Sequence, residues 1–168
     1  MVLEKLYDEL KRIICDEDAV IACVGSPLRM DDQAGLIICD RLHEKGFKDI
    51  IKCEYGLENC LTEISSTGKK TLLVIDAVYS DKLSPGDIVV LDSEAIESGE
   101  YNLEPISTHN IPFKISLSLL KELVGVNKAY LLGIMVKSID LGLEISIEIR
   151  KSIDKIVELL EEILSGCR

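Results

Sequence analysis

Apolar residues in this chain recur in two rhythms, helical spacing and short unbroken runs. Leu3, Leu6, Leu10, Ile13 and Ile14 predict an amphipathic helix over 2–15. Val20–Val24 is an uncharged run ending at Gly25, and reads as a buried strand at 19–24. Ala34, Leu36, Ile37, Ile38 and Leu42 predict a helix over 33–45 that stops at Gly46. Asp49–Cys53 reads as a short strand, and Leu57, Cys60, Leu61 and Ile64 as a helix to Ser66. A second apolar run, Thr71–Ile75, ends at Asp76. The turn Ser84-Pro85-Gly86-Asp87 precedes a strand at Ile88–Leu91. Residues 92–108 carry weak periodicity and read as a short helix plus loop. Pro112 suits the first turn of a helix continued by Ile115, Leu119, Leu120 and Leu123 to Gly125. Ala129–Ile134 is a third apolar strand, and Ser146 is placed to cap a last helix, Ile149–Leu164, with Glu148 nearby.

Uncharged strands alternating with helices imply an α/β fold: a three-layer sandwich with a mostly parallel, five-stranded twisted sheet and helices on both faces. The strand at 87–91 is expected to run antiparallel, because its connection is short and turn-rich. With no repeat, low-complexity tract or linker, residues 1–168 read as one domain.

Composition narrows the partners. The net charge of −11 argues against nucleic acid, whose phosphates need a basic surface. No apolar stretch reaches the roughly 20 residues of a membrane helix. The acidic, amphipathic N-terminus lacks the layout of a signal peptide, so a cytoplasmic location is expected. Six cysteines form no CxxC pair. Cys23, Cys39 and Cys53 lie in apolar runs and read as buried reduced thiols. Cys60, beside Asn59 and near Glu58, is the one cysteine singled out as a possible nucleophile.

In parallel sheets, ligands sit beyond the carboxyl ends of the strands. Asp31, Asp32 and Asp76 all fall there, each just past a buried strand. Each alone could simply cap a helix or turn; convergence on one edge favours a metal or acid–base site. Of the two histidines, His43 lies on a charged helix face and reads as solvated. His109, between Thr108 and Asn110, stands in a polar loop where it could be either a surface residue or a ligand. The segment GSPLRMDDQAG lacks both phosphate-loop patterns, and no GxSxG is present. Asp32, Asp76 and His109 remain as a ligand-capable set with open positions.

The stretches VGSPLRMDDQAG (24–35), YGLEN (55–59), LLVIDAV (72–78), SPGDIVVLD (84–92), STHNIPF (107–113) and LLGI (131–134) together resemble the hydrogenase maturation proteases. These endopeptidases trim the C-terminus of the nickel–iron hydrogenase large subunit. The resemblance covers residues 19–164. It implies a metal site of Asp32, Asp76 and His109, these being also the expected catalytic residues, with Asp31 shaping the loop and Glu58 at a recurrent acidic position. Ser26 stands where the family usually has Asn, Gln33 where it has Gly, and Met135-Val136 where it has Gln-Pro.

The resemblance thus leads to the expectation of a monomeric maturation endopeptidase acting on a hydrogenase large-subunit precursor. Its nickel would be delivered by the substrate, with Cd²⁺ or another divalent ion able to substitute. Helix 2–15 is short for a pro-segment, so control would rest with the substrate. A non-enzymatic, nickel-sensing chaperone on the same fold uses the same ligands and is the alternative.

Overall fold

The structure, a computed structural model, describes residues 3–106 and 112–167. His109 lies outside them.

The chain runs α1 (Leu3–Lys11, continuing as a π-helical turn Arg12–Asp16), β1 (Val20–Gly25), a 3-10 turn Met30–Gln33 into α2 (Ala34–Glu44), and β2 (Ile51–Glu54). A second 3-10 turn, Leu57–Cys60, leads into α3 (Leu61–Ser66), followed by β3 (Thr71–Tyr79), β4 (Ile88–Asp92) and α4 (Ser93–Glu97). The two-residue β5 (Glu104–Pro105), α5 (Phe113–Leu119), β6 (Lys128–Met135) and α6 (Ile147–Gly166) complete it. The sheet order is β2-β1-β3-β6-β4, with β5 added on β3. β1, β2, β3 and β6 pair in parallel. β4 is antiparallel to β6, as its short connection implies.

Strand alternation divides the core in two. Ile21, Cys23, Leu73 and Ile75 pack under α1, α2 and α6. Val20, Ala22, Val24, Leu72, Val74 and Val78 pack under α3, α5 and the Leu57–Cys60 turn. Both faces of β1 and β3 are thus covered, which is why their runs are uninterrupted. The mostly parallel α/β sandwich agrees with the architecture read from the sequence. No helix among the described residues is long and apolar enough to cross a membrane.

Several local readings are revised. Cys53 is not a reduced thiol: the turn Leu57–Cys60 folds back over the end of β2 and Cys53 is disulfide-bonded to Cys60, Cα–Cα 5.7 Å. Cys15 is bonded to Cys167, Cα–Cα 5.4 Å, because the first and last helices pack side by side. Cys23 and Cys39 are buried free thiols, as expected. His43 is half-buried rather than solvated, its Nε2 2.6 Å from the Ile50 carbonyl that follows its helix. Ser146 precedes α6 without a side-chain cap bond; its hydroxyl is drawn to Asp31 instead.

Candidate active site

Chain direction reverses between β1 and β3: β1 leads through α2 outward to β2, and β3 leads, by way of β4, α4, β5 and α5, the other way to β6. The crevice past the carboxyl ends at such a switch is where open α/β sheets bind ligands. Asp32 and Asp76 stand on its two sides, both fully buried.

Asp32 is delivered by close backbone packing. Its N–H donates to the Arg29 carbonyl at 3.0 Å and its carbonyl accepts the Ser26 N–H at 3.2 Å. A Cβ at Gly25 would collide with the Asp32 carbonyl oxygen, and one at Gly35 with the carbonyl oxygens of Val24 and Ile75. Glycine at these two positions lets the Asp32 turn and the start of α2 lie directly on the strand ends.

Asp76 lies inside β3. The residues two away on either side, Val74 and Val78, face the α3–α5 layer, and alternation turns Asp76 to that face too. In register it is opposite Gly133 on β6 and comes just after the Cys23–Ile75 pair on β1. Its Oδ1 accepts the Ala77 N–H at 2.8 Å.

The third expected ligand, His109, lies outside the described residues, but the chain on either side of that gap is described. β5 pairs with Val78 and Tyr79 on the stretch of β3 that β1 leaves open. Ile106 then donates its N–H to the Ala77 carbonyl at 3.4 Å, beside Asp76. On the far side, Pro112 opens α5, which packs on the Leu57–Cys60 turn. Among the described residues, no group of three His, Cys, Asp or Glu is placed to hold a metal; the set read from the sequence includes His109, outside them. A cavity of about 350 Å³ lies at the same edge, lined by Tyr79, Glu104, Ile106 and residues 136–139.

Asp31 plays a different part from its neighbour. It is fully buried, and its carboxylate accepts the Lys137 and Ser138 N–H groups at 2.9 and 3.0 Å, and the Ser146 N–H and hydroxyl at 2.8 Å each. It ties the segment after β6 to the loop after β1. Two residues that depart from the family pattern serve the same edge: the Gln33 side chain donates to the Gly142 carbonyl at 3.5 Å, and the Val136 backbone N–H donates to the Val78 carbonyl at 3.1 Å. A proline at 136 could not make the latter bond.

Thiol chemistry has little room here. Cys60 is in a disulfide and is no nucleophile. Cys23 is wholly buried; its hydrogen bond with Cys39, then burial, raises its thiol well above the ordinary range, leaving it protonated and inert.

Sequence reasoning missed the surroundings of one acidic group, Glu58. It stands out in the sequence only as acidic, yet its two carboxylate oxygens are buried with no hydrogen-bond partner among the described residues. They rest against Gly56, where a Cβ would collide with both. The spacing Gly-x-Glu past a strand end was the available signal.

The hydrogenase maturation protease family model matches residues 42–163. The structure is similar to the NiFe hydrogenase maturation protease HybD from Thermococcus kodakarensis, at 31% identity, covering 86% of this chain and 97% of that one, with a TM-score of 0.69. It is also similar to HycI from the same organism, at 25% identity over 94% and 99% of the two chains and a TM-score of 0.73. Endopeptidase HycI from Escherichia coli shares 25% identity over 86% and 89%, with a TM-score of 0.67. No curated protein matches. A family match across most of the chain, and a relative spanned almost end to end on the same fold, settle the class: the chain belongs to the hydrogenase maturation proteases and is a maturation endopeptidase.

Proposed function

We propose that this endopeptidase removes a C-terminal extension from a nickel–iron hydrogenase large-subunit precursor once nickel is in place. Asp32, Asp76 and His109 take hold of the substrate's nickel, and the scissile segment is docked by that hold. The observation that carries this reading is the pair of fully buried carboxylates flanking the crevice between β1 and β3. It is joined by the bond from Ile106 to Ala77, three residues before His109. Two carboxylates and an imidazole form an incomplete donor set, which suits a divalent ion that must be held briefly and released with the product. The cavity beside Ile106 offers room for the extended segment.

Chemically, a polarised carbonyl is open to attack by water. The chain's task is to hold that carbonyl and manage the proton. The family assignment favours this hydrolase over a non-enzymatic nickel-sensing binder built on the same ligands. Incubation with nickel-loaded precursor, read by mass spectrometry, tests it. Loss of one C-terminal peptide with wild-type protein, and none with Asp76→Asn of unchanged fold, is expected. An intact precursor after prolonged incubation would contradict it.

A further inference from the structure

We infer that Glu58 is the general acid–base of the cleavage, an inference that rests on Asp32, Asp76 and His109 docking a nickel-bearing precursor. Both Glu58 oxygens are buried with no hydrogen-bond partner among the described residues, which leaves them open to a donor that the substrate or its attacking water brings. The group sits past the carboxyl end of β2, on the face of the sheet to which Asp76 turns. Its 3-10 turn packs against α5, which comes shortly after His109 in the chain. The Cys53–Cys60 disulfide encloses residues 54–59 and fixes the turn to the end of β2.

Other candidates are committed elsewhere. Asp31's carboxylate is saturated by its donors from Lys137, Ser138 and Ser146. Cys60 is oxidised. Asp32 and Asp76, as ligands, lose basicity to the ion they hold.

In the first half of the reaction a water oxygen bonds to the scissile carbonyl carbon, the carbonyl π pair moves onto oxygen, and one water proton passes to the Glu58 carboxylate. The electron pair then returns, the carbon–nitrogen bond breaks, and the leaving nitrogen takes the proton from Glu58. A new carboxylic acid, a new amine and the original carboxylate result.

The test compares wild type, Glu58→Gln and Glu58→Asp on nickel-loaded precursor, with cleavage rate at saturation followed across pH and with precursor affinity and melting temperature measured in parallel. Glu58→Gln should cleave at least about 100-fold slower, with affinity within about threefold, an unchanged or higher melting temperature, and a flattened pH profile. Glu58→Asp, which keeps the proton chemistry, should fall between. Cleavage by Glu58→Gln within threefold of wild type, or a rate loss matched by lost affinity, would overturn the assignment. So would equal loss in both variants. Failure of the wild type to cleave would instead remove the nickel-docked cleavage on which it rests.

Discussion

Asp31 and Asp32 are neighbours with the same chemistry and the same complete burial, yet Asp31's carboxylate receives four donors while Asp32's turn is built into the crevice. Asparagine at position 31 would turn an amide N–H₂ toward groups that are themselves donors. Asp31→Asn should cost about 2–4 kcal/mol and lower the melting temperature by roughly 5–15 °C, as a thermal unfolding scan would show. Asp32→Asn should leave that temperature within a few degrees and abolish processing. Equal destabilisation by the two would mean that the division of labour is wrong. Gly35 belongs to the same scale. A methyl group there meets the backbone of β1 and β3, so Gly35→Ala should lose about 1–3 kcal/mol and displace the start of α2, with processing reduced in step.

Among the elements, the long uninterrupted runs were readable because β1, β3 and β6 are covered on both faces. The helices were readable from their one-sided spacing. β5 was not, since a two-residue strand has no period and exists only because β3 outlasts β1 at its carboxyl end. The disulfides were not, because pairing depends on which helices and strand ends meet. Cys15 and Cys167 are 152 residues apart and come together only through packing of the first and last helices. Asp31 and Asp32 were legible because the end of β1 can be located from its run; Asp76 was read as a strand end, whereas β3 runs on to Tyr79 and holds it inside the strand, because β5 and β6 continue the pairing beyond the apolar run. The difference between Asp31 and Asp32, and the buried state of Glu58, depend on the segment at 137–146 and on the turn at 57–60, neither of which sequence spacing places.

The same elements predict where stability resides. Closing a loop of 152 residues restricts the unfolded chain by about 5 kcal/mol in the chain-entropy view, against roughly 2–3 kcal/mol for the short Cys53–Cys60 loop. Cys15→Ser should therefore lower the denaturant midpoint more than Cys53→Ser, and thiol reductant should erase the difference between wild type and both variants. At the start of α6, Glu148 is held below its ordinary range first by its own backbone N–H and then by Lys137, 2.9 Å away. A depressed folded value stabilises above the ordinary carboxylate range and is lost as pH falls through the lowered one. The melting temperature of Glu148→Gln should thus trail the wild type slightly at neutral pH and meet it in acid; a gap that persists in acid would exclude the ion pair and backbone bond as its source.

For the molecule as a whole, the proposed reading gives an endopeptidase with an open donor set, which must be kept from cutting unrelated chains. Such restraint requires selectivity for the proper precursor. Metal in the precursor can supply it. A difference of about 4 kcal/mol in docking between loaded and metal-free precursor gives roughly thousandfold selectivity. The isolated enzyme should then bind Ni²⁺ or Cd²⁺ only modestly, with the heat of binding reduced in Asp76→Asn and His109→Ala and weakened as pH falls through the ordinary histidine range. Unchanged calorimetric binding in His109→Ala would remove that residue from the set.

The most direct measurement sets nickel-loaded and metal-free precursor of identical sequence beside each other, in metal-free buffer, with the released C-terminal peptide followed by mass spectrometry. Recognition through substrate-borne nickel predicts cleavage of the loaded form and essentially none of the metal-free form. Equal rates for the two would contradict it and leave an endopeptidase that reads its substrate by some other feature.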